Sequence, residues 1–373
     1  CDGPSCATAT LACPCCAKPM SQTPTYTWPL VLGAILREGD LSREAASWAM
    51  GEIMSGSATA AQTAGFVVAL RARGESAPVV AGLVDTMLEH APQVERPGPC
   101  VDIVGTGGDQ AQTVNISTMA AIVVAGAGVP VAKHGNRAAS SQCGSADVLE
   151  ALGVALTLDG AGVVRCIREV GIGFFFAPQF HSGMRFTGPT RKELGIPTVF
   201  NFLGPLSNPA RPTSMAVGCA DERMAAILAD TMRMRGVSAL VFRGDDGLDE
   251  LTVADGSHVW WVAGGEVREV HVTPEELGLT RSPLESLRGG DADVNAEVAR
   301  RLFAGERGPV RDAAVLNAGA AVGLAQQGDE QPGDPVAAIR EGMDTVEAVL
   351  DSGRAAEQLQ RWVSATRPEG QGA

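Results

Sequence analysis

The sequence predicts an α/β protein with a small all-helical domain and a larger α/β domain, whose mainly parallel central sheet is flanked by helices. Three observations lead to this prediction. The chain has 373 residues, enough for about two domains. Residues 27–91 show only helical periodicity. From Cys100 onwards, short apolar segments alternate with helical ones, which is typical of a parallel sheet covered by helices.

Composition and charge exclude several classes of function. The chain is 45% hydrophobic and 19% charged, with a net charge of −14. Nucleic acid and anionic membranes are therefore not expected as partners, because binding them requires clustered Lys and Arg. No run of 18 apolar residues exists, so we expect no membrane span. Four scattered cysteines (Cys100, Cys143, Cys166 and Cys219) lack metal-ligand spacing and indicate a reduced, cytoplasmic protein.

The N-terminal segment differs from the rest of the chain. It begins with Cys1, and the first methionine is Met20. Residues 1–19 have neither the charged start nor the apolar stretch of a signal peptide, so we interpret them as an upstream extension. We expect residues 1–26 to be disordered. The cluster Cys13-Pro14-Cys15-Cys16 is consistent with a metal site or a disulfide knot, although no second ligand pair or histidine accompanies it.

The helical domain is predicted at 27–96, and its end coincides with a Pro/Gly-rich linker at 92–99. Thr59 and Gln62 have the spacing of a capping box. Apolar residues at three-to-four spacing predict helices at 28–36, 41–54, 60–73 and 78–90.

The α/β domain is predicted at 97–179 and 201–373. Short apolar segments predict strands at 101–104, 129–132, 215–219, 239–242 and 258–262. Longer periodic segments predict helices at 116–127, 146–152, 222–234, 293–305, 310–326 and 335–360.

Two polar motifs follow the first predicted strand. The loop 105–109 (GTGGD) allows backbone N–H groups to approach an anion, but its spacing fits neither a P-loop nor a dinucleotide fingerprint. Alone, this loop is equally consistent with a plain turn. The segment 115–118 (NIST) begins the next helix. Its side chains suit helix capping, and they also suit phosphate oxygens or a magnesium ion.

Three further motifs carry charged side chains. Lys133 and His134 end a strand, as expected for residues that line a ligand crevice in an open α/β sheet. Arg191 precedes an apolar Gly/Pro-rich segment; its guanidinium suits a planar aromatic carboxylate, and a surface ion pair is the alternative. Asp249 and Glu250 follow a strand and could hold magnesium on a polyphosphate, although acidic clusters often lie on solvated faces.

Taken together and in order, these motifs resemble the anthranilate phosphoribosyltransferase family. The resemblance covers residues 27–365 and rests on GTGGD, NIST, KHGNRAASSQCGSAD, RKELG, FNFLGPLSNPA and DDGLDE. It implies transfer of a 5-phosphoribosyl group from phosphoribosyl diphosphate to the amine of anthranilate in tryptophan biosynthesis. It also implies the fold shared with class II nucleoside phosphorylases, with the site in the cleft between domains. A homodimer formed through the helical domains is implied, as is the return of helices at about 180–200 to the small domain.

The resemblance also implies residue roles. Phosphoribosyl diphosphate is expected at Gly105, Gly107, Gly108, Asp109, Thr113, Asn115, Ser117, Thr118, Lys133 and Ser145. Anthranilate is expected at Gly105, His134, Asn136, Arg191 and Gly204. Two Mg²⁺ ions are expected at Ser117, Asp249 and Glu250. No residue is assigned as a general base, and His134 is the only candidate.

Two departures and two alternatives accompany the resemblance. The family often has His-Pro where this chain has His181-Ser182, and Arg where it has Pro197. A pyrimidine-nucleoside-phosphorylase-like enzyme of the same fold is one alternative; the 204–209 segment (GPLSNP) favours the transferase. A non-catalytic nucleic-acid-binding relative is the other, and the acidic charge argues against it.

Overall fold

The computed structural model describes residues 25–39, 41–138, 142–328 and 333–367. The predicted extension at 1–26 lies outside these residues except for its last two positions, and the N-terminal cysteine cluster lies outside them entirely. Within the described ranges, no helix is long and apolar enough to cross a membrane.

The N-terminal part of the described chain is helical, as predicted. Its helices are α1 (Trp28–Glu38), α2 (Arg43–Met54), α3 (Ala60–Arg73) and α4 (Ala77–His90). The Thr59–Gln62 capping box is present at the start of α3. The apolar faces of these helices bury Phe66, Leu83 and Met87 in one core, which extends to one face of the sheet.

The remainder of the chain is built on one seven-stranded sheet. Its strands are β1 (Val101–Gly105), β2 (Val131–Gly135), β3 (Ile172–Phe176), β4 (Ser214–Gly218), β5 (Ser238–Gly244), β6 (Ser257–Ala263) and β7 (Glu266–Val272). The strand order is β3-β2-β1-β4-β5-β6-β7. The first five strands in this order are parallel, and β6 and β7 are antiparallel. The predicted fold class is therefore confirmed.

Helices cover both faces of the sheet, as expected for parallel strands. They are α5 (Ile116–Gly126), α6 (Ser145–Ala151), α7 (Gly160–Val170), α8 (Ala177–Phe180), α9 (Gly188–Leu194), α10 (Phe200–Leu206), α11 (Glu222–Arg235), α12 (Ala292–Phe303), α13 (Pro309–Gln327), α14 (Pro335–Asp351) and α15 (Arg354–Thr366). A core between the sheet and α5, α13, α14 and α15 buries Trp261 and Trp362 completely or nearly so.

The structure differs from the sequence prediction in several elements. β3 and α7 were not predicted. β3 is a run of only five residues, and α7 begins with Gly-Ala-Gly, which has low helix propensity. β7 was not predicted because it is an edge strand with mostly exposed side chains. The predicted helix 335–360 is two helices, because Gly353 has φ +77° and ends the first one.

The segment between β3 and β4 returns to the N-terminal helices. A 3₁₀ helix (Ser182–Thr187) contacts α2, α9 contacts α3, and α10 contacts α4. Residues that follow β3 are thereby placed beside helices encoded more than a hundred positions earlier.

The order of the parallel strands creates a crevice at one end of the sheet. The chain proceeds from β1 outwards to β2 and β3, and then returns to β4 on the other side of β1. The connections that leave the carboxyl ends of β1 and β4 therefore diverge, and ligands of open α/β sheets bind at such a point.

Candidate active site

The glycine loop predicted from the sequence leaves β1 at this crevice. Gly107 and Gly108 have φ values of 71° and 91°, which side chains rarely adopt. Both residues are exposed, and Asp109 follows them with its Oδ1 accepting a hydrogen bond from the Ala111 amide at 3.2 Å. The loop thus presents backbone N–H groups at the switch point of the sheet.

Asp249 lies directly over the paired ends of β1 and β4. Gly105 and Gly218 are register partners in the sheet. A Cβ on Gly105 would lie 2.2 Å from Asp249 Oδ2, and one on Gly218 would lie 1.7 Å from the Asp249 carbonyl oxygen. Glycine at both positions is therefore what lets the 245–250 connection approach the glycine loop.

Asp249 and Glu250 are buried carboxyls that bind backbone amides. Asp249 Oδ2 accepts from the Gly107 N–H at 2.6 Å, and Glu250 Oε1 accepts from the Ser117 N–H at 3.1 Å. Burial raises the pKa of Asp249 to about 7, and the charge of Asp109 adds to this shift. Burial also raises the pKa of Glu250 to about 8, with Asp249 as the second cause. The pair is closely packed, acidic and short of positive charge.

The start of α5 carries three further predicted residues, of which Ser117 donates its N–H to Glu250. Asn115 precedes the helix and donates from Nδ2 to the Cys143 carbonyl at 3.1 Å. Ser117 is half-buried in the first turn. The Thr118 hydroxyl is buried and has no hydrogen-bond partner among the described residues. Thr113, just upstream, forms an isolated β-bridge with Arg288.

Lys133 is almost completely buried, with 1% of its surface exposed. Its Nζ donates to the Ile103 carbonyl at 2.6 Å. Burial lowers the pKa of Lys133, while the negative charges of Asp102 and Glu250 oppose this shift. The Lys133 charge in turn opposes the rise in the pKa of Glu250, so this lysine partly offsets the negative charge of the carboxyl pair.

His134, the next residue of β2, faces α10. Its Nδ1 lies 3.0 Å from the Gly204 carbonyl oxygen, so Nδ1 carries the hydrogen. Its Nε2 is buried without a partner in the described part of the chain. Burial lowers the pKa of His134 to about 3, and proximity to His181, with ring centroids 5.2 Å apart, contributes. A neutral imidazole thus offers a free acceptor nitrogen.

The loop between β2 and α6 carries the other predicted residues of this region. Asn136 is exposed, and its backbone carbonyl accepts hydrogen bonds from the Ala146 amide and the Ser145 hydroxyl. Asp147 accepts from the Gly144 N–H at 2.9 Å and from the Ala138 N–H at 3.0 Å. These bonds join residues 136–138 to the start of α6.

The last two predicted site residues, Arg191 and Gly204, lie on α9 and α10. The Arg191 side chain, on α9, has no ion pair or hydrogen bond to the residues that the structure describes, and burial lowers its pKa. Outside the backbone of α10 itself, no atom of the described residues lies within 4 Å of the position that a Cβ on Gly204 would occupy. A half-buried guanidinium without a carboxylate partner and an open space beside α10 are the features expected of an anion subsite.

Several residues that support the site were not predicted. Asp102 is completely buried; it accepts hydrogen bonds from the His134 amide at 3.1 Å and from Asn208 Nδ2 at 2.8 Å. Burial raises the pKa of Asp102 to about 6. Asn295 Nδ2 donates to Asn115 Oδ1 at 2.9 Å and so links α12 to the start of α5. Of these supporting residues, only Asp102 could have been noticed in the sequence, because it is an aspartate inside an otherwise apolar strand.

Comparison with known proteins agrees with this geometry. Residues 30–91 match the model of a glycosyl transferase family helical bundle domain, and residues 97–356 match that of the family's a/b domain. An anthranilate phosphoribosyltransferase of Nocardioides sp. (strain ATCC BAA-499 / JS614) is 57% identical over 340 residues, which cover 91% of this chain and 99% of the relative.

Solved structures show the same likeness. The anthranilate phosphoribosyltransferase of Thermus thermophilus superposes with a TM-score of 0.83 at 42% identity, covering 91% of this chain and 99% of that one. The Saccharomyces cerevisiae enzyme in complex with PRPP and Mg has a TM-score of 0.81 at 26% identity. The same yeast enzyme in complex with 4-fluoroanthranilate has a TM-score of 0.78 at 26% identity. Each yeast comparison covers 91% of this chain and 97% of the other.

Fold and site therefore define a glycosyl transferase with a helical bundle domain and an α/β domain. Within that class, the chain belongs to the anthranilate phosphoribosyltransferase family.

Proposed function

We propose that the protein transfers the 5-phosphoribosyl group of phosphoribosyl diphosphate (PRPP) to the amine of anthranilate. The products are N-(5-phosphoribosyl)anthranilate and diphosphate, and the reaction serves tryptophan biosynthesis. The observation that carries this proposal is the crevice at the β1–β4 switch point, where the glycine loop and the start of α5 donate backbone hydrogen bonds to the buried carboxyls Asp249 and Glu250. The family relationship supports the substrates.

PRPP is assigned to the side of the crevice formed by the glycine loop and the start of α5. Backbone N–H groups in such a loop and at a helix N-terminus stabilise phosphate oxygens. The unpartnered Thr118 hydroxyl supports this assignment, because a buried hydroxyl without a hydrogen bond is costly until a ligand supplies one. The proposed contacts are Gly105, Gly107, Gly108, Asp109, Thr113, Asn115, Ser117, Thr118, Lys133 and Ser145.

Magnesium is assigned to Asp249 and Glu250, with Ser117 as a further ligand. Carboxylates and hydroxyls are the hard oxygen donors that Mg²⁺ prefers. Burial and the neighbouring carboxylates raise the pKa values of the pair, so a cation bound there would favour their charged forms. Among the described residues, Asp109, Asp249 and Glu250 do not by themselves form a group of three converging ligands. This suits Mg²⁺, which usually takes one or two carboxylates and completes its shell with water and substrate phosphates. Bound there, the ion would neutralise charge that develops on the departing diphosphate.

Anthranilate is assigned to the side formed by His134, Asn136, Arg191 and Gly204, with Gly105 at its boundary. Arg191 suits the carboxylate, because a guanidinium pairs with both of its oxygens. The free Nε2 of His134 suits the amine as a hydrogen-bond acceptor. Since the amine of anthranilate is an uncharged nucleophile, alignment of the two substrates supplies much of the rate, and no strong base is needed.

Two finer parts of the proposal rest on the sequence resemblance: the presence of two magnesium ions and a homodimer through the helical domains. A third, the cytoplasmic location, rests on the four scattered cysteines. Exposed apolar side chains on α1 and α3 support the dimer: Leu30, Leu36 and Val68 are 57%, 63% and 39% exposed. Large exposed apolar side chains are covered by a partner where they join into one patch.

The test is an assay of the purified full chain by anthranilate fluorescence. We expect fluorescence to fall only when PRPP and Mg²⁺ are both present, with one diphosphate released per anthranilate consumed. Removal of Mg²⁺ with a chelator should stop the reaction, and restoring the ion should restart it. Absence of any PRPP-dependent loss of anthranilate would contradict the proposal.

A further inference from the structure

A second cluster of ligand-bearing side chains lies outside this crevice, at the antiparallel end of the sheet. It consists of Asp245, His258 and His271, whose nearest ligand atoms all lie within 4.8 Å of one another. His271 Nε2 lies 2.8 Å from Asp245 Oδ2, and His258 Nε2 lies 3.6 Å from Asp245 Oδ1. The centroids of the two imidazole rings are 5.0 Å apart.

The backbone brings these three residues together. His258 on β6 and His271 on β7 are directly paired in the antiparallel register, so their side chains share one face. Asp245 is the first residue after β5, at the same end of the sheet. Gly256 completes the cluster by lacking a side chain: its Cβ would lie 2.5 Å from His271 Nε2 and 2.8 Å from Asp245 Oδ2.

A fourth residue, Glu269, lies beside Nδ1 of His258, the ring nitrogen that points away from Asp245. His258 directs Nε2 towards Asp245 and Nδ1 towards Glu269, whose Oε1 lies 3.8 Å away. A carboxylate beside the nitrogen that does not bind the metal is the usual companion of a metal-binding histidine, because it fixes the ring orientation and tautomer. This arrangement is an observation separate from the proximity of the three ligands.

Charge and access also suit a cation. The side chains of Asp245, His258 and His271 are 31%, 40% and 44% exposed, so an ion can reach them from solvent. Arg243 is the register partner of His258, but its Nε donates to the Ala220 carbonyl at 2.9 Å.

We propose that Asp245, His258 and His271 bind one divalent transition-metal cation of the Zn²⁺ type, with water completing its coordination. Two imidazoles and one carboxylate form a donor set that such cations favour and Mg²⁺ does not. Ligands about 2.1 Å from one ion in tetrahedral geometry lie about 3.4 Å apart, so modest side-chain rotation brings the three atoms into place. This site is separate from the oxygen-only pair Asp249–Glu250 and does not depend on the proposed transferase reaction.

The test is calorimetric titration of the full chain with Zn²⁺ at about pH 7.5, where protons compete little with metal for imidazole. Excess Mg²⁺ is present throughout to occupy oxygen-only sites. The parent is compared with the double variant His258→Asn/His271→Asn, and the matched control is His90→Asn, an exposed histidine on α4. Because all three proteins contain the same cysteines, binding by thiols cancels in the comparison.

We expect the double variant to bind one equivalent of Zn²⁺ fewer than the parent and the control, with an unchanged melting temperature in the absence of zinc. Glu269→Gln should retain the stoichiometry and weaken this binding by about ten- to a hundredfold, as expected for a residue that orients a ligand. Equal stoichiometry and affinity in the parent and the double variant would overturn the site. Unchanged affinity in Glu269→Gln would overturn the orienting role of that carboxylate.

Discussion

His134 shows how the fold sets the chemistry of a single residue. Its Nδ1–H is held by the Gly204 carbonyl, and burial keeps the ring neutral by lowering its pKa to about 3. The imidazole is therefore a weak base in the free protein and a hydrogen-bond acceptor at Nε2. Its backbone N–H is fixed in turn by the buried Asp102. This residue is suited to orienting an amine.

At the same scale, Arg191→Ala tests the proposed anthranilate subsite. Losing a charge-assisted hydrogen bond costs about 1.5–3 kcal/mol, so the KM for anthranilate should rise about ten- to a hundredfold. The KM for PRPP should change little. Steady-state kinetics of this variant are compared with those of Lys192→Ala, which removes an exposed cation from the same helix. If Arg191→Ala lowers the melting temperature but leaves the KM for anthranilate unchanged, the arginine has a structural role.

At the scale of the element, the connection between β5 and β6 makes stability depend on pH. The pKa values of Asp249 and Glu250, about 7 and about 8, are raised above those of the unfolded chain. Between about pH 5 and pH 8 the folded state therefore retains protons that the unfolded state has released, and the free energy of unfolding falls as pH rises. The lowered pKa values of His134 and His181 act in the opposite direction, but only below about pH 6.5.

We therefore expect the melting temperature of the metal-free protein to fall by a few degrees between about pH 6.5 and pH 8.5. In Asp249→Asn/Glu250→Gln, which cannot titrate at these positions, the decrease should be smaller. Calorimetric scans of both proteins over this range measure the difference. Parallel decreases in the two proteins would show that other groups cause the dependence.

Elements were predictable from the sequence where local pattern and tertiary environment agree. The four N-terminal helices and the buried parallel strands β1, β4 and β5 were found because their periodicity reflects the face that they bury. β7 was missed because an exposed edge strand has no continuous apolar pattern. α7 was missed because its glycine-rich start has low helix propensity. The helix is stabilised instead by the Asp159 cap and by packing.

At the scale of the molecule, the candidate site depends on strand order, which no single motif reveals. The sequence identified the glycine loop, Lys133 and the Asp249–Glu250 pair as separate motifs, and the family resemblance supplied their roles. It did not reveal that Gly218 pairs with Gly105 beneath Asp249, nor that Asn208 and Asp102 support His134. The Gly105–Gly218 and Asp102–Asn208 contacts each join residues more than a hundred positions apart. The residue roles and domain boundaries stay predictions.

The proposed dimer is also a prediction about the whole molecule. We expect sedimentation velocity to give a mass of twice 38.4 kDa for the parent chain. Leu36→Glu should shift this towards the mass of one chain, because it places a charge on the exposed apolar surface of α1. The matched control is Val294→Glu, which alters an apolar residue of α12 that is 50% exposed. A parent that sediments as a single chain would contradict the dimer.

We propose that Asp249 and Glu250 form the metal–diphosphate end of a two-substrate site. Turnover and anthranilate binding in Asp249→Asn/Glu250→Gln test this assignment. The matched control is Glu222→Gln/Asp230→Asn, which removes two carboxylates from the solvent-accessible side of α11. We predict that the first variant loses at least about a hundredfold in kcat/KM, because leaving-group charge is no longer stabilised, and that it still binds anthranilate. Turnover within a few-fold of the parent would contradict the claim.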